Sequence, residues 1–293
     1  MAIVTGAAGA IGGAVAEQLL RNGASVCICD IGGIAKIMGG EDRDATAALE
    51  QRRDELAAAT GGDVMCAVCD VTNLEQIDAM MAVVEERYGR LDILANVAGI
   101  GMPEGGRLPF REARLSDWEK VISIDLTGPF RVTQAALPLL DKGVKLGGSA
   151  RVINIASVAG VLPLQLQAAY SSAKAGLISL TQSMALELGK EGILCNAIAP
   201  GTIATEGTAG LWGKMDAAAD GKVNFQTEEA GEAGEDSFAG RDDAQRHMDM
   251  IALGRPGVPN DIAQGILFLC ASNYTNGHTL VIDGAWSICI RPF

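Results

Sequence analysis

The chain has 293 residues, 48% of them hydrophobic, and its 23 basic and 36 acidic side chains give a net charge of −13. That length and apolar content can bury a sizeable core, as one large α/β domain or two small ones. The acidic balance argues against nucleic acid or an anionic membrane as partner. No apolar run approaches a membrane span and Met1 lies almost at the first expected strand, so neither an anchor nor a signal peptide is expected.

The chain opens on Ala2-Ile3-Val4-Thr5, a short β-branched apolar run, followed at once by Gly6-Ala7-Ala8-Gly9-Ala10-Ile11-Gly12. Helical spacing of apolar and small residues runs from Ile11 to Leu20 and stops at Asn22-Gly23. A second apolar run, Ser25 to Cys29, ends in Asp30, eighteen positions after Gly12. Strand, glycine-rich turn, helix, strand and acid in this order form a dinucleotide signature. The glycines let the backbone approach a pyrophosphate, whose charge the helix N-terminus favours, and the acid can accept from ribose hydroxyls.

Residues 31–62 hold the glycine pairs Gly32-Gly33 and Gly39-Gly40 and a charged helix over about Ala45–Ala59. A third strand, Val64–Val68, leads to Asp70-Val71. The helix that follows, Leu74 to Tyr88, places Ile77, Met80, Met81 and Val84 on one face, which reads as core. A fourth strand at Ile93–Ala95 runs into Asn96-Val97-Ala98-Gly99. A long helix from about Trp118 to Leu140 is expected to break near Gly128-Pro129. Arg151–Ala156 is a fifth strand, a helix continues to about Leu188, Leu194–Ala199 is a sixth strand before Pro200-Gly201, and Leu280–Ile282 a seventh. The alternation predicts a doubly wound parallel sheet, Rossmann-like, in a single domain with helices on both faces. Residues 206–250 break the rhythm. They are polar and acidic but carry Leu211, Trp212, Met215, Phe225 and Phe238, enough apolar surface to form a substrate lid.

Seven cysteines are present, most inside apolar runs, where a free thiol behaves as a small hydrophobe. Cys66 and Cys69 have redox or zinc spacing, but no second cysteine pair completes a site, and the chain has only His247 and His278. No metal is expected, and core packing in a reducing cytoplasm is the better account.

The chemistry centres on Tyr170 and Lys174, four apart and hence one turn apart on one helix face, with Ser157 thirteen positions upstream of the tyrosine. An ammonium beside a phenol favours the phenolate, and a phenol tuned in this way can exchange the proton of an alcohol/ketone pair. A hydrolase reading of Ser157 fails for want of a Gly-x-Ser-x-Gly elbow and of a neighbouring histidine.

Together these residues resemble the short-chain dehydrogenase/reductase family in its single-domain, NAD-type branch, along nearly the whole chain. The resemblance implies cofactor contacts from Gly6, Ala10, Ile11 and Gly12, with Ala10 standing where the family's middle glycine is usual. Asp30 and Ile31 would hold the adenosine ribose, and Asp70 and Val71 the adenine. Asn96, Ala98 and Gly99 would lie beneath the nicotinamide side, and Pro200, Gly201, Ile203 and Thr205 would hold its carboxamide. Arg255-Pro256-Gly257 and Asp283-Gly284 resemble the family's C-terminal pattern.

Ser157, Tyr170 and Lys174 match the catalytic serine, tyrosine and lysine, and Tyr170 and Lys174 also face the cofactor. Asp125 occupies the place of a catalytic asparagine whose main-chain carbonyl helps to hold a relay water; the carbonyl is expected to matter more than the carboxylate. The activity implied is NAD-dependent interconversion of a secondary alcohol and a ketone, by a cytoplasmic homo-oligomer, dimer or tetramer. An alicyclic, terpenoid or steroid-like small molecule is the expected substrate. A 3-oxoacyl-type reductase and a non-catalytic NAD(H) sensor are the alternatives.

Overall fold

The computed structural model describes residues 1–31, 45–103, 107–205, 215–217, 223–225 and 249–289. The first strand, β1 (Ala2–Thr5), turns through the glycines into α1 (Ala10–Arg21), which ends at Asn22, and returns in β2 (Val26–Asp30). Next come α2 (Ala45–Thr60), β3 (Val64–Val68), α3 (Leu74–Tyr88) and β4 (Ile93–Asn96). The Asn73 side chain caps α3 by accepting the Gln76 N–H, and Gly89 closes it in the left-handed region at φ 66°.

The long helix expected around Trp118–Leu140 is three pieces. These are α4 (Leu115–Ile122), a π-turn (Ser123–Thr127) and α5 (Gly128–Gly147). The break falls one turn earlier than expected, because Pro129 sits in the first turn of α5, where its missing N–H costs nothing. The widened turn before it carries Asp125. Then follow β5 (Ala150–Ile155), the single-turn α6 (Val158–Val161), α7 (Ala168–Leu188) and β6 (Ile193–Pro200). The hairpin β7 (Met215–Ala217) and β8 (Val223–Phe225) pairs Met215 with Phe225. The remainder of the expected lid over 206–250 lies almost wholly outside the described residues, as do Gly32-Gly33 and Gly39-Gly40. Last come α8 (Pro259–Ala271), which the sequence reading did not single out, and β9 (Thr279–Ile282).

Seven strands form one parallel sheet in the order β3-β2-β1-β4-β5-β6-β9. The chain winds outward in both directions from β1 and β4, as the expected doubly wound class requires. Their carboxyl ends diverge into a crevice at the switch point, the place where open α/β sheets bind ligands.

One face is packed by α1, α2 and α8 through Val15, Leu19, Leu49, Leu56, Ile262 and Ile266. The other is packed by α3 and α5, with Ile77, Met80, Met81 and Val84 in that core as expected. Cys27, Cys29, Cys69 and Cys195 are buried, and all seven thiols are free. A buried threonine–asparagine chain crosses this interior. Asn96 donates to Thr133 and to Asn154, and Asn154 donates to Thr181 at 2.8 Å, tying β4 and β5 to the middle of α7. These bonds fix the height of α7 on the sheet, and a buried donor left unpaired in their place would cost about 1–3 kcal/mol.

Candidate active site

At the end of β1 the chain enters the left-handed region at Gly6, φ 68°. A Cβ on Gly6 would lie 2.8 Å from both the backbone nitrogen and Cα of Ala98, so the turn and the loop after β4 approach backbone to backbone. A Cβ on Gly12 would run into the Gly6 carbonyl oxygen. Thr5 Oγ1 accepts the N–H groups of Val97 and Ala98 at 3.0 Å each and so stitches the two loops across the switch point. Ala10, the first residue of α1, is exposed, so its methyl group meets open space and leaves the turn undistorted. Asp30, at the end of β2, folds back over the turn and accepts the Ala8 N–H through Oδ2 at 3.0 Å. Close-approaching glycines, the open N-terminus of α1 and a carboxylate at the rim fit a dinucleotide's pyrophosphate and adenosine ribose.

Further along the crevice, Asp70 Oδ1 accepts the Thr72 N–H and hydroxyl, and Val71 packs against Gly128. Ile31 is half-buried at the edge beyond Asp30. The loop after β6 carries Pro200, Gly201, Ile203 and Thr205. It is pinned by the Ala204 N–H to the Gly257 carbonyl, the Gly257 N–H to the Thr202 carbonyl and the Gly201 N–H to the Ile282 carbonyl. The Arg255-Pro256-Gly257 and Asp283-Gly284 segments therefore buttress that loop.

Ser157 follows β5 by two residues and caps α6: its Oγ accepts the Ala159 N–H at 3.1 Å, which leaves the hydroxyl proton to donate elsewhere. Tyr170 and Lys174 occupy the first two turns of α7, as their spacing predicted. Lys174 is buried. Its Nζ donates to the Ile155 carbonyl at 3.1 Å, lies 3.1 Å from Asp125 Oδ2, and sits 5.6 Å from the centre of the Tyr170 ring. The lysine thus joins β5, the π-turn and the tyrosine. Asp125 is fully buried, and its Oδ1 accepts the Ile100 N–H at 2.8 Å. Gly99 covers the pair so closely that a Cβ there would lie 3.2 Å from Nζ.

Burial pulls the Lys174 ammonium down, but the Asp125 carboxylate and then Tyr170 outweigh it and hold it above the usual lysine value. Burial pushes the Asp125 carboxyl up, partly offset by Lys174 and the Ile100 N–H. With the two groups in contact, the ionised pair is the state the geometry supports.

Asn96 points into the threonine–asparagine chain and ties β4 to α5 and β5. The Ile155 carbonyl and the Ile100 N–H were not singled out from sequence. Both are main-chain groups and carry no residue-type signal.

A dinucleotide cradle at the switch point, beside a serine, a tyrosine and a buried lysine, defines an oxidoreductase of the nicotinamide-dependent class. The chain belongs to the short-chain dehydrogenase family, whose model, described as "short chain dehydrogenase", matches residues 1–216. It is 32% identical over 287 residues to trans-4-hydroxycyclohexanecarboxylate dehydrogenase of Sinomonas cyclohexanicum, covering 97% of this chain and 91% of that one. It is also 32% identical over 290 residues to 3-oxoacyl-[acyl-carrier-protein] reductase of Synechocystis, covering 97% and 95%. The crystal structure of levodione reductase superimposes with a TM-score of 0.78 at 27% identity, covering 99% of this chain and 98% of that one. Among the described residues no helix is long and apolar enough to cross a membrane.

Proposed function

We propose that the protein is a cytoplasmic NAD-dependent dehydrogenase that interconverts a secondary alcohol and a ketone, with Tyr170 as general acid and base. The observation that carries this reading is the placement of Lys174. One buried ammonium touches β5 two residues before Ser157 and flanks the Tyr170 ring. In reduction Tyr170 Oη donates its proton to the carbonyl oxygen as that oxygen gains charge; in oxidation it accepts the alcohol proton. The Ser157 hydroxyl, held by the Ala159 N–H, donates to the same oxygen and orients it. Lys174 binds the ribose hydroxyls nearest the reacting ring. The nicotinamide, when bound, supplies or accepts the hydride.

Asp30 supports NAD over NADP: its carboxylate suits two ribose hydroxyls and repels a 2′-phosphate. No arginine or lysine stands at 7–10 or 31–35 to receive such a phosphate.

Ile100 and Met102 pack with Tyr170 in a small apolar cluster, which supports an apolar substrate frame of the alicyclic, terpenoid or steroid-like kind. Residues 206–250 serve as its lid in a single catalytic domain. Arg107, Arg111 and Arg114 are all exposed on the loop and turn that precede α4, and they favour a substrate that also carries an acidic group. That observation keeps the 3-oxoacyl-type reductase as a second reading. A cavity of about 350 Å³ between Leu108–Phe110 and Pro163–Leu166 is not the proposed substrate site. Of its α7 walls, Ser172 lies opposite the Tyr170–Lys174 face, and none of Ser157, Tyr170 and Lys174 lines it.

The proposed assembly is a homo-oligomer through α4, α5 and α7. On α7, Ala173 is buried and Gly176 packs on Leu126, whereas Ala175, Ser179 and Ser183 form an open stripe of small residues. Leu115, Trp118 and Phe130 are exposed on α4 and α5.

A panel of alicyclic alcohols, with and without a carboxylate, and 3-hydroxyacyl thioesters, assayed for NADH formation, tests the reading. Turnover of an alicyclic alcohol supports it. Turnover confined to the thioesters transfers the assignment to the second reading.

A further inference from the structure

Asp125 is one of two positions, with Ala10, at which the resemblance leads one to expect another residue, and its two oxygens have different partners. Oδ1 is fixed by the Ile100 N–H on the loop after β4. Oδ2 is buried, and its one partner among the described residues is Lys174 Nζ at 3.1 Å. Among the described residues the charge on Oδ2 is compensated by Lys174 alone, and the lysine's only other acceptor there is the neutral Ile155 carbonyl. From the main-chain carbonyl alone one would expect a side chain with little to do; here both of its oxygens are committed.

We propose that the Asp125 carboxylate is the positioning group for Lys174: it anchors the ammonium to the β4 loop and keeps it charged across the working pH range. The proposal rests on the reading in which Lys174 holds the cofactor's ribose. Around Nζ, the described groups that bear on its charge are Asp125 from the π-turn and Tyr170 from its own helix. The strands contribute only the Ile155 carbonyl, and the β4 loop brings side-chain-less Gly99. A lysine buried without a counter-ion loses its proton up to about 3–5 pH units below the usual value of about 10.4. Asparagine at position 125 would keep an oxygen for the Ile100 N–H but turn an amide N–H towards Nζ. A neutral amine can accept that bond and an ammonium cannot.

The test is NADH affinity against pH, followed by fluorescence on the purified protein, which reads Lys174 without any turnover. The native protein should bind NADH with less than a threefold change between pH 5 and pH 9. Asp125→Asn should lose at least tenfold over the same interval, and Asp125→Asn/Lys174→Ala should bind weakly with no pH dependence.

Parallel profiles for native and Asp125→Asn would overturn the proposal, as would a loss in the native protein with its midpoint below pH 9. A limb that persists in the double variant would assign the titration to another group and overturn it too. If Asp125→Asn fails to fold, by circular dichroism, Asp125→Glu, which keeps the carboxylate, takes its place: it should keep the flat native profile, and a loss of tenfold in it would overturn the proposal. Because binding needs no proton transfer, the outcome is independent of whether Tyr170 proves to be the acid and base.

Discussion

Gly160, in the single turn α6, faces the backbone of the helix that carries the tyrosine and lysine. A Cβ there would lie 2.6 Å from the Lys174 carbonyl carbon and 2.8 Å from the Ala175 nitrogen. These are main-chain atoms of a long helix, with no flexible end to swing aside. Gly160→Ala must push α7 and α6 apart by about 1 Å to restore ordinary contact distances. The backbone cost is overpacking, about 1–3 kcal/mol of stability. The functional cost is larger in proportion, because Lys174 moves off the Ile155 carbonyl and Tyr170 moves with it. A displacement of about 1 Å at a reacting group can reduce turnover about a hundredfold, close to 2.7 kcal/mol in the barrier.

The assay is kcat on the best substrate of the panel, beside thermal melting and NADH titration. The account predicts kcat down by about ten- to a hundredfold, a lower melting temperature and a smaller effect on NADH binding, since Gly6, Gly12 and Asp30 are remote from the contact. A variant with kcat within twofold of native would refute the reasoning that α6 sets the position of the catalytic helix.

Asp30→Ala removes the carboxylate that suits the ribose hydroxyls and should lower kcat/KM for NAD by about ten- to a hundredfold, in line with hydrogen bonds to a charged group. The NAD/NADP ratio should fall with it, and an unchanged ratio would contradict the cofactor assignment. Burial pushes the thiols of Cys27 and Cys195 up to about 12 and that of Cys270 up to about 11. At pH 8 these three should resist iodoacetamide in the native protein and react once it is unfolded, as read by peptide mass spectrometry; rapid native labelling would show that they are not packed in the core. Light scattering at micromolar concentration should give the mass of a dimer or tetramer. A monomer would count against α7's open stripe as an interface.

Much of the fold was legible because each strand–turn–helix unit carries its own local signals. Val64–Val68 and Leu74–Tyr88 have in the structure the limits that the sequence predicted. Helix α8 went unremarked although Pro259 stands in its first turn and Asp261 accepts the Val258 N–H, both readable start signals. It lies after an irregular stretch in which alternation gives no cue.

The site divides in the same way. Ser157, Tyr170 and Lys174 stand out by residue type and spacing. What holds them is the Ile155 carbonyl, the Ile100 N–H and the close approaches at Gly99 and Gly160, which are backbone features set by tertiary packing. The π-turn under Asp125 belongs to this second kind. Its residue was visible as a departure from the family, but its contact with Lys174 was visible only in three dimensions.

The most direct test of the central claim is Tyr170→Phe, which deletes the phenolic oxygen and keeps the ring against Lys174. The account predicts loss of alcohol oxidation and ketone reduction by at least about a thousandfold, more than 4 kcal/mol in the barrier, with NADH affinity within about threefold of native, half the nearly 1.4 kcal/mol that a tenfold change represents. Turnover within tenfold of the native rate would contradict the assignment of Tyr170 as the general acid and base.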